Sequence, residues 1–375
     1  MLGAVQFGLF AAGIVLFVPM GMAGWHLSRN KMLFFSCALL ITLAVGVHLV
    51  PYFPSVTSFL FSSGSSSSSG SSSSFIVNPN SCNSLLHQVA FDFQELDNNV
   101  TSNVGNRGSD SKRGSWRWVE SESVVDCDFQ KLTKTDASVL LNGSWVVVAG
   151  DSQARLVVVS LLELLLGENE MEVVKGDLFR RHSDYKMFLD KIGMKLDFIW
   201  APYVSNLTDL IMGFKEKKSY PDVFVMGAGL WDMLHVNNAL DYGVSLKYLK
   251  NSVVLLLPVS SAFGNDDGSG MNVVPIWSPN LFWLGMPKLI RSMLNTDEKR
   301  EKMSDVMCQA YSDELYRSKL LQQSGGPLFL LDIHSLSNNC GAHCTSDGMH
   351  YHGAVYEAAV HIMLNGLLIE SNQKL

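Results

Sequence analysis

The chain has 375 residues, of which 47% are hydrophobic and only 17% charged, whereas an ordinary soluble protein carries about 25% charged residues. This composition argues against a wholly soluble enzyme and predicts that part of the chain lies in a membrane. Residues 1–53 hold no acidic and two basic side chains, so the net charge of −7 becomes −9 over the remainder (26 basic against 35 acidic). This acidic remainder excludes a nucleic-acid-binding protein with a basic face.

Two apolar segments at the N-terminus are each long enough to cross a bilayer. Residues 2–25 form the first, interrupted by Gln6, and residues 32–50 form the second. A helix of about 20 apolar residues spans a hydrocarbon core of about 30 Å. The connector between them carries Arg29 and Lys31, so the positive-inside rule places it in the cytosol and the rest of the chain in the lumen. Alternatively, one segment is the anchor and the other lies at the interface, and a luminal main domain follows from either.

The region after the membrane anchor (1–53) divides by composition into three parts. Residues 54–74 are rich in Ser and Gly and cannot bury enough apolar surface to fold, so they predict a flexible luminal stem. Residues 75–135 are mixed and partly polar, and they predict a loosely structured leader. Residues 136–375 are long enough to bury a full hydrophobic core and predict the catalytic domain.

Sequons and cysteines fit a secretory compartment. Acceptor tripeptides for N-glycosylation begin at Asn99, Asn142 and Asn206, although each is common by chance. Five cysteines follow the second apolar segment, so at most two disulfides close within the chain; they are Cys82, Cys127, Cys308, Cys340 and Cys344.

A zinc site is an alternative use of the last two cysteines. Cys340 and Cys344 lie close in sequence to His343, His350 and His352, and sulfur with imidazole suits zinc. In an oxidising lumen we favour disulfides that hold the C-terminal loop. We therefore predict no metal and no cofactor.

Short apolar runs then alternate with helix-like stretches. Runs that are nearly continuous and rich in β-branched residues are typical of strands buried on both faces; they cover residues 144–149, 196–200, 222–227, 252–257 and 327–331. The stretches between them are long enough for crossover helices, at 153–166 and 297–323, and an amphipathic helix is predicted near 354–370. This alternation predicts a three-layer α/β/α fold with a parallel sheet of about five strands. Its chemistry should collect at the carboxyl ends of the strands.

The first of these strands runs directly into Gly150-Asp151-Ser152, which is followed by an apolar helix. A small residue permits the sharp turn, and a Ser at a helix N-terminus lies where free backbone N–H groups can stabilise an anion. The tripeptide alone is a weak signal for a nucleophilic Ser. Its position between a strand and a helix is the stronger evidence. The alternative is that Asp151 or Ser152 only caps the helix.

A partner base for Ser152 is available before the last helix, in Asp347-Gly348-Met349-His350. A Ser hydroxyl needs a base to take its proton, and an imidazole does so best when a carboxylate orients it. His334, His343 and His352 compete in the same region, but Asp and His three residues apart on one loop supply both groups. The sequence therefore predicts a triad of Ser152, His350 and Asp347.

With these motifs, the chain resembles the SGNH or GDSL-like acyl-esterase superfamily, and within it the plant polysaccharide O-acetylation group that includes the trichome birefringence-like proteins. The resemblance extends over nearly the whole chain, from its apolar N-terminus onwards. It implies a Golgi membrane location, Ser152 as nucleophile, His350 as base, Asp347 as orienting acid and Arg155 as a candidate oxyanion ligand.

The third sequence block of that superfamily, Gly-x-Asn-Asp, departs from the pattern here. Residues 229–232 read Gly-Leu-Trp-Asp, so Trp231 stands where the oxyanion-stabilising Asn is expected. The backbone N–H of Gly229 or of Ser152, or the guanidinium of Arg155, would have to compensate. Gly176 is the plausible counterpart of the second-block glycine.

The resemblance implies O-acetylation of cell-wall polysaccharides such as xyloglucan and xylan. The expected partners are an acetyl donor, with acetyl-CoA as one ultimate source, a polysaccharide acceptor and other proteins of an acetylation complex. Aromatic residues that could stack on sugar rings are Trp231, Trp277, Phe282 and Trp283, with core packing as the alternative for the last three. A deacetylating esterase shares every catalytic residue, and a non-catalytic glycan-binding partner is the rival of another class.

Overall fold

A computed structural model describes residues 79–92, 114–256 and 279–371 of the chain. All of them lie in the second of two compact units, Ile76–Leu375. Within these ranges, no helix is both long and apolar enough to cross a membrane.

Several predicted features lie outside the described residues. They are the two apolar segments at 2–25 and 32–50, the stem at 54–74, the sequon at Asn99 and the ring of Trp277.

The described residues alternate between strands and helices in chain order. The strands are β1 Val89–Asp92, β2 Ser115–Trp118, β3 Trp145–Gly150, β4 Tyr185–Leu189, β5 Met194–Trp200, β6 Val223–Met226, β7 Asn280–Leu284 and β8 Phe329–Leu331. The helices are α1 Pro79–Leu85, α2 Glu122–Val125, α3 Lys134–Leu140, α4 Ser152–Leu165, α5 Glu168–Leu178, α6 Val204–Lys217, α7 Leu230–His235, α8 Ala239–Val254, α9 Asp297–Lys302, α10 Asp305–Arg317, α11 Ile333–Cys340 and α12 Gly353–Ser371.

The main sheet has the strand order β4-β5-β3-β6-β7-β8. Its neighbours are parallel from β5 through to β8, and β4 is antiparallel to β5 at the edge. A mostly parallel sheet of the expected kind is therefore confirmed, with an antiparallel edge strand that the sequence did not indicate. The strand β3 lies between β5 and β6, so the chain order reverses at its carboxyl end, where ligands bind in open α/β sheets.

Both faces of the sheet are buried, which is why its strands read as continuous apolar runs. Val146 and Val148 of β3 belong to one hydrophobic core, which includes α4, α5, α11 and α12. Val147 and Ala149 belong to the other, which includes α6, α7, α8 and α10. Successive residues of a strand point to opposite faces, so a central strand needs apolar residues at every position. The three-layer arrangement predicted from the sequence is confirmed.

Four of the five predicted strands match β3, β5, β6 and β8, but the prediction at residues 252–257 is wrong. There, residues 252–254 are the end of α8, which buries Tyr242, Leu246, Leu249 and Val253 on one helical face. A short apolar run cannot be assigned to a strand or a helix by periodicity alone. The strand in this part of the sheet is β7, at residues where no strand was predicted.

The leader at 75–135 is not loosely structured where it is described. Its strands β1 and β2 pair antiparallel, and Trp116 of β2 is buried in the main hydrophobic core. A disulfide between Cys82 and Cys127 ties its two ends together.

The last helix, α12, is confirmed in position but is buried around most of its circumference rather than amphipathic. The leader covers the side that would face solvent, and two polar residues of α12 meet its backbone. His361 Nδ1 accepts a hydrogen bond of 3.1 Å from Leu132 N, and Asn365 exchanges two hydrogen bonds with Gln130. Buried polar side chains need such partners.

The carboxyl ends of β3 and β6 approach each other so closely that glycine is required. A Cβ at Gly150 would lie 2.6 Å from the carbonyl oxygen of Gly227 and 2.8 Å from Ala154 Cβ. The turn from β3 into α4 therefore depends on this glycine, which immediately precedes Asp151 and Ser152.

We expect the substitution Gly150→Ala to lower the free energy of unfolding by about 1–3 kcal/mol, because the added methyl group overpacks this junction. Gly176→Ala is the matched control: a Cβ there meets no atom within 4 Å, and alanine in an exposed helix should add up to about 1 kcal/mol. Denaturant unfolding of both variants measures the difference. Equal effects at the two positions would contradict the packing described for Gly150.

Candidate active site

Ser152 is the first residue of α4, at the carboxyl end of β3. Asp151 caps the helix, since its Oδ1 accepts a hydrogen bond of 2.9 Å from Gln153 N. The first N–H groups of a helix have no acceptor within it, and Ser152 supplies the first of them in α4. The cap is thus provided by Asp151, and the Ser152 hydroxyl does not cap the helix.

A loop of residues 345–351 carries Asp347 and His350. It closes on itself through an antiparallel bridge between Thr345 and Tyr351, and Thr345 Oγ1 donates a hydrogen bond of 2.8 Å to His350 O. Gly348 has a φ of +73°, and a Cβ there would lie 2.5 Å from Ile290 O. Glycine is therefore required at the second position of the Asp-x-x-His motif.

Three side chains meet in a continuous chain of hydrogen bonds. Ser152 Oγ lies 2.7 Å from His350 Nε2, and His350 Nδ1 lies 2.6 Å from Asp347 Oδ2. With Nδ1 donating to the carboxylate, Nε2 is the nitrogen that can accept the Ser152 proton. The structure thus brings together the three side chains for which the sequence predicted the roles of nucleophile, base and orienting acid.

Asp347 is held as a carboxylate. Burial acts to raise its pKa, but hydrogen bonds from the His350 ring and from the backbone N–H groups of His350 and Met349 outweigh burial and lower the pKa to about 2. Hydrogen bonds to the charged form favour ionisation. Asp347 therefore keeps its negative charge opposite His350 across the physiological range.

The competing residues lie elsewhere. His343 is exposed, and His334 lines a separate pocket next to β7 and β8. Asp332 accepts hydrogen bonds from Ser335 at the start of α11. His352 borders a groove beside α4 and α12 and does not line the cavity at Ser152.

A cavity of about 290 Å³ opens beside the Ser152 hydroxyl. Segments that follow β3, β5 and β6 and the end of α5 form its walls, together with α9 and the loop that carries His350. The residues that line it are Ser152, Arg155, Phe179, Arg181, His182, Trp200, Leu230, Trp231, Leu234, Lys299, Met303, Met349 and His350.

Arg155 lies one helical turn after Ser152 and is only 7% exposed. Its guanidinium packs against the rings of Trp200 and Phe198, at 5.1 and 5.3 Å from their centroids, and Nη2 donates to Arg180 O at 3.2 Å. Its Nε has no hydrogen-bond partner among the described residues. Burial lowers the pKa of Arg155, and the nearby Asp151 carboxylate acts against this.

The other oxyanion candidates have different positions. Gly229 directly precedes α7, so its N–H lies at a helix N-terminus next to the cavity residues Leu230 and Trp231. Gly176 lies exposed within α5 and does not line the cavity. The structure therefore places Gly229, Trp231 and Arg155 at the site and leaves Gly176 away from it.

Two of the aromatic residues proposed to stack on sugar rings are core residues. Phe282 and Trp283 belong to β7 and are 2% and 1% exposed. They fill opposite faces of the sheet, so the alternative of core packing is the correct one for both.

An aromatic cluster that the sequence analysis missed surrounds Trp231. His182 stacks on Trp200 with ring centroids 4.7 Å apart, and Trp231 meets both edge-on at 5.1 and 5.6 Å. Tyr203 and His235 contact the far side of Trp231. The position of Trp200 at the end of a predicted strand was a usable signal, whereas His182 lies in an irregular segment that sequence patterns do not place.

Two buried carboxyl groups lie beneath the site. Burial raises the pKa of Asp151 to about 6, against the hydrogen bond from Gln153 N and the charges of His350 and Arg155. Burial also raises the pKa of Asp232 to about 7, against a backbone hydrogen bond from Val204. Asp232 Oδ2 has no hydrogen-bond partner in the described part of the chain. No hydrogen bond to this oxygen therefore stabilises the charged form of Asp232.

The C-terminal cysteines form a disulfide between Cys340 and Cys344, directly before the loop of His350. The expected disulfide at this loop is therefore present, and the two sulfur atoms are not available as zinc ligands. The described residues thus contain two disulfides, Cys340–Cys344 and Cys82–Cys127, and Cys308 is their free cysteine.

The two described sequons differ in setting. Asn142 is exposed in the turn before β3. Asn206 lies in the first turn of α6, where its Oδ1 accepts a hydrogen bond of 3.3 Å from Tyr203 N. Glycosylation of either residue stays a prediction.

Comparison with known proteins gives one close relative. The chain is 55% identical over 381 residues to Protein ALTERED XYLOGLUCAN 9 of Arabidopsis thaliana, with 100% of both chains covered. No family model matches the chain.

Two solved structures are more distant. TesA is 14% identical, with 60% of this chain and 97% of that chain covered and a TM-score of 0.32. A catalytic mutant of Axe2, an acetylxylan esterase from Geobacillus stearothermophilus, is 12% identical, with 64% and 96% covered and a TM-score of 0.34.

We expect Asp232→Asn to stabilise the protein increasingly as the pH rises from about 4 to about 8. Because the pKa of Asp232 is raised on folding, the wild type loses stability as the pH rises from the unfolded-state pKa towards about 7, and the amide has no such loss. The melting temperature should gain a few degrees at pH 8, that is about 1 kcal/mol or more. Asp209→Asn, on the exposed face of α6, controls for the loss of one negative charge. A difference between Asp232→Asn and wild type that stays constant or shrinks with rising pH would refute the assignment.

Proposed function

Because the chain belongs to the family of Protein ALTERED XYLOGLUCAN 9, we propose that it is an O-acetyltransferase that acts on cell-wall polysaccharides such as xyloglucan and xylan. The observation that carries this proposal is the hydrogen-bonded chain of Ser152, His350 and Asp347 at the edge of a cavity. A hydroxyl, an imidazole and a carboxylate in this order can form and resolve an acyl-enzyme.

In the first step Ser152 takes the acetyl group from a donor. His350 Nε2 accepts the Ser152 proton as Oγ attacks the acetyl carbonyl carbon, and Asp347 stabilises the imidazolium that forms. The bond to the leaving portion of the donor then breaks, and His350 returns the proton to that portion. Ser152 is left acetylated and His350 neutral.

The negative charge on the carbonyl oxygen needs donors other than an asparagine, since Trp231 occupies the corresponding sequence position. The N–H groups of Ser152 and Gly229 lie at the N-termini of α4 and α7, where helix dipoles favour an anion. The Arg155 guanidinium supplies a further donor from the cavity wall. One well-placed donor is worth about 10²- to 10³-fold in rate, so these groups can replace the missing amide.

In the second step a sugar hydroxyl attacks the acetyl-Ser152. His350 removes the hydroxyl proton and delivers it to Ser152 Oγ when the acyl bond breaks. Trp231 and Trp200 lie half-buried at the cavity, and such rings can stack on a pyranose while keeping water from the ester. Attack by water instead of the sugar would give an esterase with the same residues.

We place the protein in the Golgi membrane with this domain in the lumen, in association with other proteins of an acetylation complex. The two disulfides support an oxidising compartment, and the exposed Asn142 sequon is compatible with it. The membrane anchor of this proposal lies outside the described residues.

A transfer assay with the full-length protein in detergent tests this proposal. With an acetylated donor and xyloglucan oligosaccharides, we expect mass spectrometry to show acetylated acceptor with wild type and at least about 10³-fold less with Ser152→Ala. Ser160→Ala, on the same helix but outside the cavity, is the matched control and should retain transfer.

Two results would overturn the proposal. Free acetate with an unmodified acceptor would identify an esterase. If Ser152→Ala restored polysaccharide acetylation in plants lacking the protein as well as wild type does, the protein would be a non-catalytic partner.

A further inference from the structure

Three side chains with a permanent positive charge line the cavity at Ser152, within an acidic chain. Arg155, Arg181 and Lys299 line it together with His182 and His350, and none of its described lining residues is Asp or Glu. The chain as a whole has 35 acidic and 28 basic residues. Clefts lined by one sign of charge concentrate ligands of the opposite sign.

The deepest of these cations is Arg155, which is 7% exposed. Its Nε finds no acceptor among the described residues, and its guanidinium rests on the Trp200 ring. A buried charged donor without a partner is unfavourable, so this group is poised for an acceptor supplied by a ligand. Arg181 and Lys299 line the same cavity with less burial.

The acetyl group and the attacking sugar hydroxyl are both uncharged before reaction, and the oxyanion that forms from the acetyl carbonyl uses only Arg155. Acetyl transfer itself therefore does not account for Arg181 and Lys299. The remaining part of the reaction is the portion of the donor that leaves. We propose, resting on the transferase function above, that the site takes an anionic acyl donor whose leaving portion carries phosphate groups. Arg181 and Lys299 bind the phosphates, and Arg155 contacts the end of the donor nearest the acyl carbon.

The acylation step balances for such a donor. Ser152 Oγ forms a bond to the acyl carbon, and the bond from that carbon to the sulfur or oxygen of the leaving portion breaks. The Ser152 proton passes through His350 Nε2 to that sulfur or oxygen, and the leaving portion departs with its phosphates. Arg181 and Lys299 bind phosphate charges that the reaction does not alter, so these two residues act on donor selection and affinity rather than on the bond that breaks.

Two thioesters with the same reacting group test this proposal on the full-length protein. Acetyl-CoA carries phosphates, and S-acetyl-N-acetylcysteamine is neutral. Thiol release in the presence of xyloglucan oligosaccharides gives kcat/KM for each donor. The measured quantity is the ratio of the two kcat/KM values. We expect wild type to favour acetyl-CoA, and the double variant R181Q/K299Q to lower the ratio about tenfold through KM, because each lost charge weakens phosphate binding.

The matched control is R180Q/K302Q, which removes the same charge from adjacent segments. Arg180 pairs with Asp177, and Lys302 pairs with Glu298, and neither lines the cavity. The ratio should stay within about twofold of wild type in this control, because charges outside the site are screened by salt. An equal fall in both double variants would mean that general charge, and not the site, selects the donor.

The outcomes separate this inference from the function on which it rests. If wild type uses both thioesters equally well, the transferase function stands and the anionic donor is refuted. If wild type releases thiol from neither thioester and is not acetylated on Ser152 by either, the proposed function fails and this inference fails with it.

Discussion

The hydrogen bond from Ser152 to His350 joins residues 198 positions apart, and the site exists only because both ends are held rigidly. One end is fixed by the tight junction of β3 and α4, where Gly150 approaches Gly227. The other is fixed by a loop closed between Thr345 and Tyr351, preceded by a disulfide. A displacement of about 1 Å is enough to lose most of the catalytic benefit of such alignment.

Buried polar groups at the site lower the stability of the folded protein. Asp151, Arg155 and Asp232 are each less than a tenth exposed, and Arg155 and Asp232 each retain an unpartnered polar atom among the described residues. Apolar side chains of similar size would pack there at lower free energy. Groups with perturbed pKa values and unsatisfied donors cluster at functional sites. Asp151 directly precedes Ser152, Arg155 lines the cavity, and Asp232 follows the cavity residue Trp231.

Local patterns in the sequence were sufficient to predict much of the fold and the three hydrogen-bonded side chains of the candidate triad, but not the residues that surround them. Strands β3, β5, β6 and β8 were predictable because both of their faces are buried, and Ser152, Asp347 and His350 because motif spacing reflects their geometry. Trp200 and His182 come together only through tertiary packing. The end of α8 was wrongly predicted as a strand because a short apolar run fits either structure until its partners are known.

One claim, that Ser152 becomes acylated, connects the cationic cavity, the aromatic cluster and Trp231, which stands where the sequence resemblance predicts an asparagine. Mass analysis of the full-length protein after exposure to an acetyl donor tests this most directly. The peptide containing Ser152 should gain about 42 Da, the mass of one acetyl group less a proton, as expected of a covalent intermediate. An unmodified Ser152 peptide in protein that still acetylates the acceptor would contradict the acyl-enzyme mechanism.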